Sequence, residues 1–239
     1  LPILNILSPD GTLNEEAGDF AGMSREEART AVLEALGALG LLVGEEEIVH
    51  NVAVSDRSKT AIEPLVSEQW FVRMEELADP AMEAVRSRAL VFKPARWEKV
   101  YLDWLENVQD WCISRQLWWG HRIPVWYDED GTPAASVEDL EIGSAHPETG
   151  KPIVRQDEDV LDTWASSWLW PFATLGWPGQ SGTAGETGDL ARFYPTQFLS
   201  TARDILYLWV ARMVMAGYEN LDAFEGDSRC PFATCYVHA

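Results

Sequence analysis

The fold turns on residues 193–217, FYPTQFLSTARDILYLWVARMVMAG. The first part, FYPTQFLST, is aromatic and β-branched and predicts a strand. The second predicts a helix over 204–216, opened by Asp204 and ended by Gly217. The closing residues, PFATCYVHA, predict another strand. Strands alternating with helices argue for an α/β fold with a parallel sheet. In such sheets ligands sit at the carboxyl ends of strands, beside the following helix N-termini. That rule singles out the joint at 201–204. No GxGxxG occurs, and Gly150-Lys151 is followed by Pro, so the usual dinucleotide and P-loop fingerprints are absent.

Working outward, Ser24-Arg-Glu-Glu27 is a capping box. Ala28, Ala31, Val32, Ala35, Leu36 and Leu39 follow it at helical spacing, and Gly40 closes that helix. EEEIVHNVAVSD (45–56) predicts a strand. Asp79-Pro80 predicts a helix start, running to about Arg88. Trp97, Tyr101, Trp104, Leu105 and Val108 mark a third helix. DWCISRQLWWGHRIPVWY (110–127) holds four of the twelve tryptophans. It predicts a helix-turn-strand joint whose tryptophans 111, 118, 119 and 126 serve core or interdomain packing, and HRIPVWY is its strand. His121 and Arg122 are expected to be a strand-edge pair satisfied by backbone. DEDG predicts a turn. Residues 128–158 are acidic and read as an irregular, exposed insertion. Residues 179–189, GQSGTAGETGD, read as a flexible loop.

The composition narrows the classes. The 239 residues carry 18 Lys and Arg against 39 Asp and Glu, a net charge of −21. Such a surface repels phosphate backbones and argues against a self-sufficient nucleic-acid binder. It suits solubility at high salt. Three cysteines, Cys112, Cys230 and Cys235, fit a reducing cytosol, and without a second Cys or His pair at metal spacing they read as unpaired thiols. No apolar run reaches the roughly 18 residues a membrane-spanning helix needs. The opening residues lack both a signal-peptide pattern and an initiator Met, so the chain reads as the middle of something longer.

Four ordered stretches carry a resemblance. DWCISRQLWWGHRIPVWY resembles a signature of the class I aminoacyl-tRNA synthetases for branched aliphatic amino acids. DEDVLDTWASSWLWPFATLGWP (157–178), ILYLWVARMVMAG (205–217) and RSKTAIEPLVSEQWFVRM (57–74) look like the valyl branch of that family. The opening LPILNILSPDGTLNEEAGDFAGMSREEAR resembles the end of its inserted editing domain. The resemblance implies that residues 1–55 are the C-terminal part of the editing domain. It implies that 56–239 are the second half of the Rossmann-type catalytic domain, α/β with helices on a parallel sheet. The family's HIGH motif then lies upstream of Leu1 and its KMSKS loop beyond Ala239, so catalytic motif residues are expected outside these 239, which alone should be inactive.

The resemblance also implies a site. Trp164, Ile205 and Trp209 match positions that wall the family's amino-acid pocket, with Trp209 one helical turn past Ile205 and on the same face. Thr201 and Asp204 match positions that bind the adenylate ribose. ATP with Mg, valine and tRNA(Val) are the implied substrates and partners, in a cytoplasmic monomer. Selecting valine needs a tight apolar pocket, since one methylene is worth only about 1–3 kcal/mol, and an isosteric threonine then calls for hydrolytic editing. Two departures stand out. Relatives that bind zinc place cysteine pairs where this chain reads YDEDGTPAA (127–135), so no zinc is expected. Many relatives read T-G-Y-D where this chain reads Thr201-Ala202-Arg203-Asp204. A synthetase-like module kept for binding or assembly is the alternative function. An unrelated aromatic-rich binding domain would not give four ordered matches.

Overall fold

A computed structural model describes residues 4–56, 58–179 and 188–238. The expected loop at 179–189 therefore lies mostly outside the described residues. The chain divides into two compact units, Leu1–Glu68 and Gln69–Ala239. The sequence reading put its boundary near 55.

The first unit is built around α1 (Arg25–Ala38). Its capping box forms as predicted. The Ser24 N–H donates to Glu27 Oε2 at 3.0 Å, and the Glu27 N–H donates back to Ser24 Oγ at 3.3 Å. At the other end the Leu41 N–H reaches the Leu36 carbonyl at 2.9 Å, which satisfies a last-turn acceptor. Among the described residues only Leu13 and Ala28 of this unit are buried hydrophobics. The strand predicted over 45–56 does not form. Only an isolated antiparallel bridge joins Val54 to Ala61, and Val43 and Val49 are fully exposed. A strand is stable only with a neighbour to take its N–H and C=O groups, and this apolar run pairs with no strand among the described residues.

The second unit opens with β1 (Phe71–Val72), α2 (Glu75–Arg86), β2 (Val91–Lys93) and α3 (Arg96–Glu106). Short strands follow: β3 (Trp111–Cys112), β4 (Ser114–Arg115), β5 (Val125–Asp128), β6 (Pro133–Ala135), β7 (Ile153–Gln156) and β8 (Val160–Leu161). The rest is α4 (Thr163–Ser167), α5 (Trp170–Ala173), α6 (Asp189–Phe193), β9 (Thr196–Ala202), a 3₁₀ turn (Arg203–Ile205), a π-helical turn (Leu206–Val210), α7 (Ala211–Asn220) and β10 (Phe232–His238).

The parallel sheet expected from the alternation is present, in the order β2-β10-β9. Both neighbours run parallel to β10, with Cys235 opposite Phe92 on one side and Leu199 on the other. The last strand in sequence is thus the central one, and its Phe232, Cys235 and Val237 are buried. Helices α2, α3 and α7 contribute to the same core, through Met82 and Val85, Tyr101 and Leu105, and Met213 and Val214. Burial raises the Cys230 and Cys235 thiols to about 11 and about 12, so both stay protonated and inert at neutral pH.

Four expectations are corrected. Helix α2 starts at Glu75, and Pro80 lies inside it. Its buried face, from Ala78 to Val85, outweighs one lost hydrogen bond near the helix start. Residues 128–158 are ordered, because β5, β6 and β7 form an antiparallel sheet. The buried Asp128 carboxylate organises its turn, accepting from the Asp130 and Thr132 N–H groups and from Thr149 Oγ1 at 2.7 Å. The helix predicted over 204–216 is a 3₁₀ turn, a π-turn and then an α-helix that runs past Gly217. That glycine is a contact point and not an end: a Cβ there would lie 2.5 Å from the Arg229 carbonyl oxygen and 2.7 Å from the Tyr194 hydroxyl.

The fourth correction concerns 110–127, which holds β3, β4 and most of β5 but no helix, and whose tryptophans do not all join this unit's core. Trp111 and Trp126 are buried, but Trp118 and Trp119 are 105% and 93% exposed. Gly120 explains the split. A Cβ at that residue would sit 2.8 Å from Val160 Cγ2. The chain is therefore pinned against β8 at Gly120 and bulges outward just before it. Arg122 behaves as expected of a strand-edge residue, donating to the Asp157 and Gln156 carbonyls at 2.6 and 3.2 Å.

Candidate functional site

The carboxyl end of β9 delivers the joint that the sequence singled out. Thr201 is 3% exposed, and its hydroxyl finds no hydrogen-bond partner among the described residues. A buried hydroxyl left unpaired costs roughly 1–3 kcal/mol, so a group that supplied a partner there would gain that much. Three residues on, Asp204 projects into solvent with its side chain 83% exposed. Arg203, the unexplained departure in the sequence, pairs with it at 3.4 Å. An ion pair so exposed is worth at most about 1 kcal/mol and leaves the carboxylate open to a competing donor.

Beyond the joint the backbone is irregular. Ile205 has φ −109° and ψ 14°, outside α-helical geometry, and is half-buried. The π-turn after it keeps Leu206 and Val210 at 1% and 0% exposure, so both reach the core. Such turns are uncommon and concentrate at functional sites. The α-helical spacing that put Ile205 and Trp209 on one face is therefore replaced by a 3₁₀-to-π step.

Trp209 and Trp164 are both half-buried against the main core. The Trp209 indole N–H donates to the Ser167 carbonyl at 3.0 Å. Ser167 ends α4, the short helix that carries Trp164. One hydrogen bond thus fastens the π-turn to the turn bearing the other predicted wall. Thr201, Asp204 and Ile205 come from the chain segment that enters the same π-turn. Sequence order alone brings those three together, whereas folding brings in Trp164.

A second group of residues escaped the sequence reading. Asp162, at the start of α4, is 9% exposed and caps no helix N–H. Its carboxylate instead accepts from Trp111 Nε1 at 3.2 Å and pairs with Arg115 at 3.2 Å and Arg212 at 4.0 Å. Arg212 is 7% exposed, and its guanidinium lies 3.7 Å from the centre of the Trp111 ring. Burial lowers the Arg212 pKa to about 10; Asp162 holds it up and Arg115 pushes it down. It therefore keeps its charge at neutral pH. The one available signal was Arg212 itself, a lone cation in the apolar run WVARMVMAG.

A third carboxylate, Asp157, accepts from Trp70 Nε1 at 2.8 Å and from the Tyr127 hydroxyl at 2.7 Å. Burial raises its pKa, but those two donors outweigh it and leave the pKa below the ordinary value. Among the described residues no three His, Cys, Asp or Glu side chains converge as a metal site, and no helix is long and apolar enough to cross a membrane.

Comparison with known proteins places this geometry. The family described as tRNA synthetases class I (I, L, M and V) matches residues 28–239. A valine–tRNA ligase of Treponema denticola is 50% identical over 240 residues, covering 100% of this chain and 25% of that protein. One of Clostridium tetani is 49% identical over 234 residues, covering 98% and 25%. A crystal structure of Mycobacterium tuberculosis methionyl-tRNA synthetase overlaps 80% of this chain and 30% of that one, with 15% identity and a TM-score of 0.47. The chain spans about a quarter of the length of the curated relatives it matches. Because the family match runs through most of the chain, including the whole parallel sheet and the joint at its carboxyl edge, the chain belongs to the class I tRNA synthetases of the isoleucine, leucine, methionine and valine group.

Proposed function

We propose that these residues are the amino-acid and adenylate side of a valine–tRNA ligase. In the whole protein, the valine carboxylate attacks the α-phosphate of ATP, with Mg, giving valyl-adenylate and releasing pyrophosphate, and the acyl group then passes to tRNA(Val) with release of AMP. Trp164, Ile205 and Trp209 wall the valine side chain. Rigid indoles suit that task, since they bury large area and lose little rotamer freedom. Thr201 and Asp204 hold the adenylate ribose: the unpaired hydroxyl supplies a hydrogen-bonding group and the open carboxylate accepts from a ribose hydroxyl. The observation that carries this reading is the Trp209–Ser167 hydrogen bond, which fastens the helical segment of one wall to the turn of the other.

On the same reading residues 1–55, within the Leu1–Glu68 unit, are the end of the editing insertion, whose hydrolytic site removes threonine. The unit's small complement of buried residues suits a piece of a larger core. The whole protein is read as a cytoplasmic monomer that needs no zinc. The 239 residues alone, which contain neither HIGH nor KMSKS, are expected to catalyse no valine-dependent ATP–pyrophosphate exchange. The test is exchange kinetics on the full-length protein. Trp209→Ala should lower kcat/KM for valine more than for isoleucine. An unchanged valine-to-isoleucine ratio alongside reduced thermal stability would make Trp209 a core residue and end the pocket reading.

A further inference from the structure

The Asp162 network is more elaborate than packing requires. An aspartate at a helix start ordinarily accepts from the helix's own N–H groups. Asp162 turns away from them and reaches three other elements: Trp111 of β3, Arg115 of β4 and Arg212 of α7. Arg115 is independently fixed, because its Nη1 donates to the Cys112 and Ser114 carbonyls, both at 2.8 Å. The Arg212 guanidinium lies 3.7 Å from the centre of the Trp111 ring, which in turn meets Trp168 edge-on at 5.4 Å between ring centres. Asp162 lies two residues before Trp164, and Arg212 three after Trp209.

The two elements that carry the tryptophan walls are thus tied twice. One tie is neutral, from the Trp209 indole to the Ser167 carbonyl. The other is charged, from Arg212 to Asp162. The neutral tie fixes one end of α4 and the charged tie fixes the other. The Asp162 N–H also donates to the Ile113 carbonyl at 2.7 Å, which holds that end of α4 to the segment between β3 and β4; the charged tie is what joins it to α7.

We infer that Asp162 and Arg212 are positioning residues that set the spacing between the Trp164 turn and the Trp209 helix, and with it the preference for valine over larger aliphatic side chains. This rests on the pocket reading proposed above. Neither residue need touch substrate. Their burial keeps the charged tie strong, since a pair shielded from water is screened little by salt or solvent. It also makes the tie discrete: Asp162 has one place where it meets all three partners.

The test uses the full-length protein in valine- and isoleucine-dependent ATP–pyrophosphate exchange. Asp162→Asn keeps the shape and an oxygen for Trp111 but removes the charge facing both arginines. It should raise KM for valine roughly tenfold, change KM for ATP far less, and narrow the valine-to-isoleucine ratio, as expected when a misplaced wall spoils one subsite. The double variant Asp162→Asn/Arg212→Met separates positioning from stability. With the buried Arg212 charge gone and only the half-buried Arg115 left without its carboxylate, it should regain thermal stability relative to the single variant. It should not regain the valine preference, because the tie is gone. If the preference returns together with stability, the network only stabilises the fold and the inference is overturned. Trp209→Ala is measured alongside. If it narrows the ratio while neither Asp162 variant does, the pocket stands and the inference alone fails. If none of the three moves the ratio, the pocket reading fails and the inference falls with it.

Discussion

Two groups of opposite charges lie in the same unit and are treated in opposite ways. Asp162 and Arg212 are 9% and 7% exposed, and the carboxylate meets an indole and two guanidinium groups. Asp204 and Arg203 form a pair of the same kind, but their side chains are 83% and 67% exposed. Removing a charge from water is costly, so an interior charge persists only where the protein itself supplies every partner. The inner group is therefore architecture. The outer one keeps its charges hydrated and available, next to a buried Thr201 hydroxyl that is unpaired among the described residues. A ligand can add hydrogen bonds at the open joint, whereas the network's carboxylate is already met by an indole and two guanidinium groups.

The sharpest way to break this contrast is to delete one partner from each side. Arg212→Ala leaves the Asp162 carboxylate one of its two cationic partners, Arg115, with the Trp111 indole, and opens space against the Trp111 ring. It should destabilise the protein by about 3–5 kcal/mol, read as a shift in the urea midpoint followed by tryptophan fluorescence. Asp204→Ala in the same assay should be nearly silent. Comparable losses at the two positions would mean that the joint is structural after all.

Next in size is Trp209→Ala, with an expected loss of roughly 2–4 kcal/mol in transition-state binding of valine and a smaller loss for isoleucine. Asp204→Asn should cost about 1.5–3 kcal/mol of transition-state binding and weaken valine and isoleucine alike, because the ribose is common to every adenylate. Exchange kinetics with both amino acids separate the two patterns: a wall changes the ratio, and a ribose ligand leaves it fixed.

Asp128 sharpens the comparison along the pH axis. Its burial raises its pKa, but the Thr149 hydroxyl and the backbone N–H groups of Thr132 and Asp130 outweigh it and hold the carboxyl at about 2, below the ordinary 3.8. A group with a lowered folded-state pKa contributes stability in full above its unfolded pKa and loses it as the pH falls through the folded value. Urea midpoints should therefore drop between about pH 4 and pH 2 partly through this carboxyl. The gap between the wild-type protein and Asp128→Asn should close over that range, and a constant gap would refute the assignment. The smallest effect belongs to Trp118→Ala. An indole that is fully exposed should change stability by no more than about 0.5 kcal/mol, whereas Trp111→Ala, next to Arg212, should be severe.

Much of this was legible in the chain itself. The capping box at Ser24 and Glu27, the helix through Trp97 and Leu105, and the two strands that frame the joint are written in local patterns that the structure reproduces. The joint at Thr201 and Asp204 followed from the rule for ligands at strand ends. The placing of Trp111 and Trp126 inside but Trp118 and Trp119 outside was not legible, because it depends on Gly120 meeting Val160. Nor was the order within 128–158, which β5 organises by pairing with strands on both sides.

The sequence by itself determined α3, β9, β10 and, to within a few residues, α2 in the second unit, the α/β class, and the family through its ordered motifs. Periodicity, caps and turn residues act over a few neighbours, so they survive in a linear reading. Tertiary structure alone decided that the last strand is central in the sheet. It also decided that the helix after Asp204 begins as a 3₁₀ turn and a π-turn, and that Asp162 faces Arg212. Each of those outcomes depends on which distant groups share the same buried space. There an unpaired charge or an unfilled volume costs several kcal/mol, far more than the few tenths by which local propensities differ.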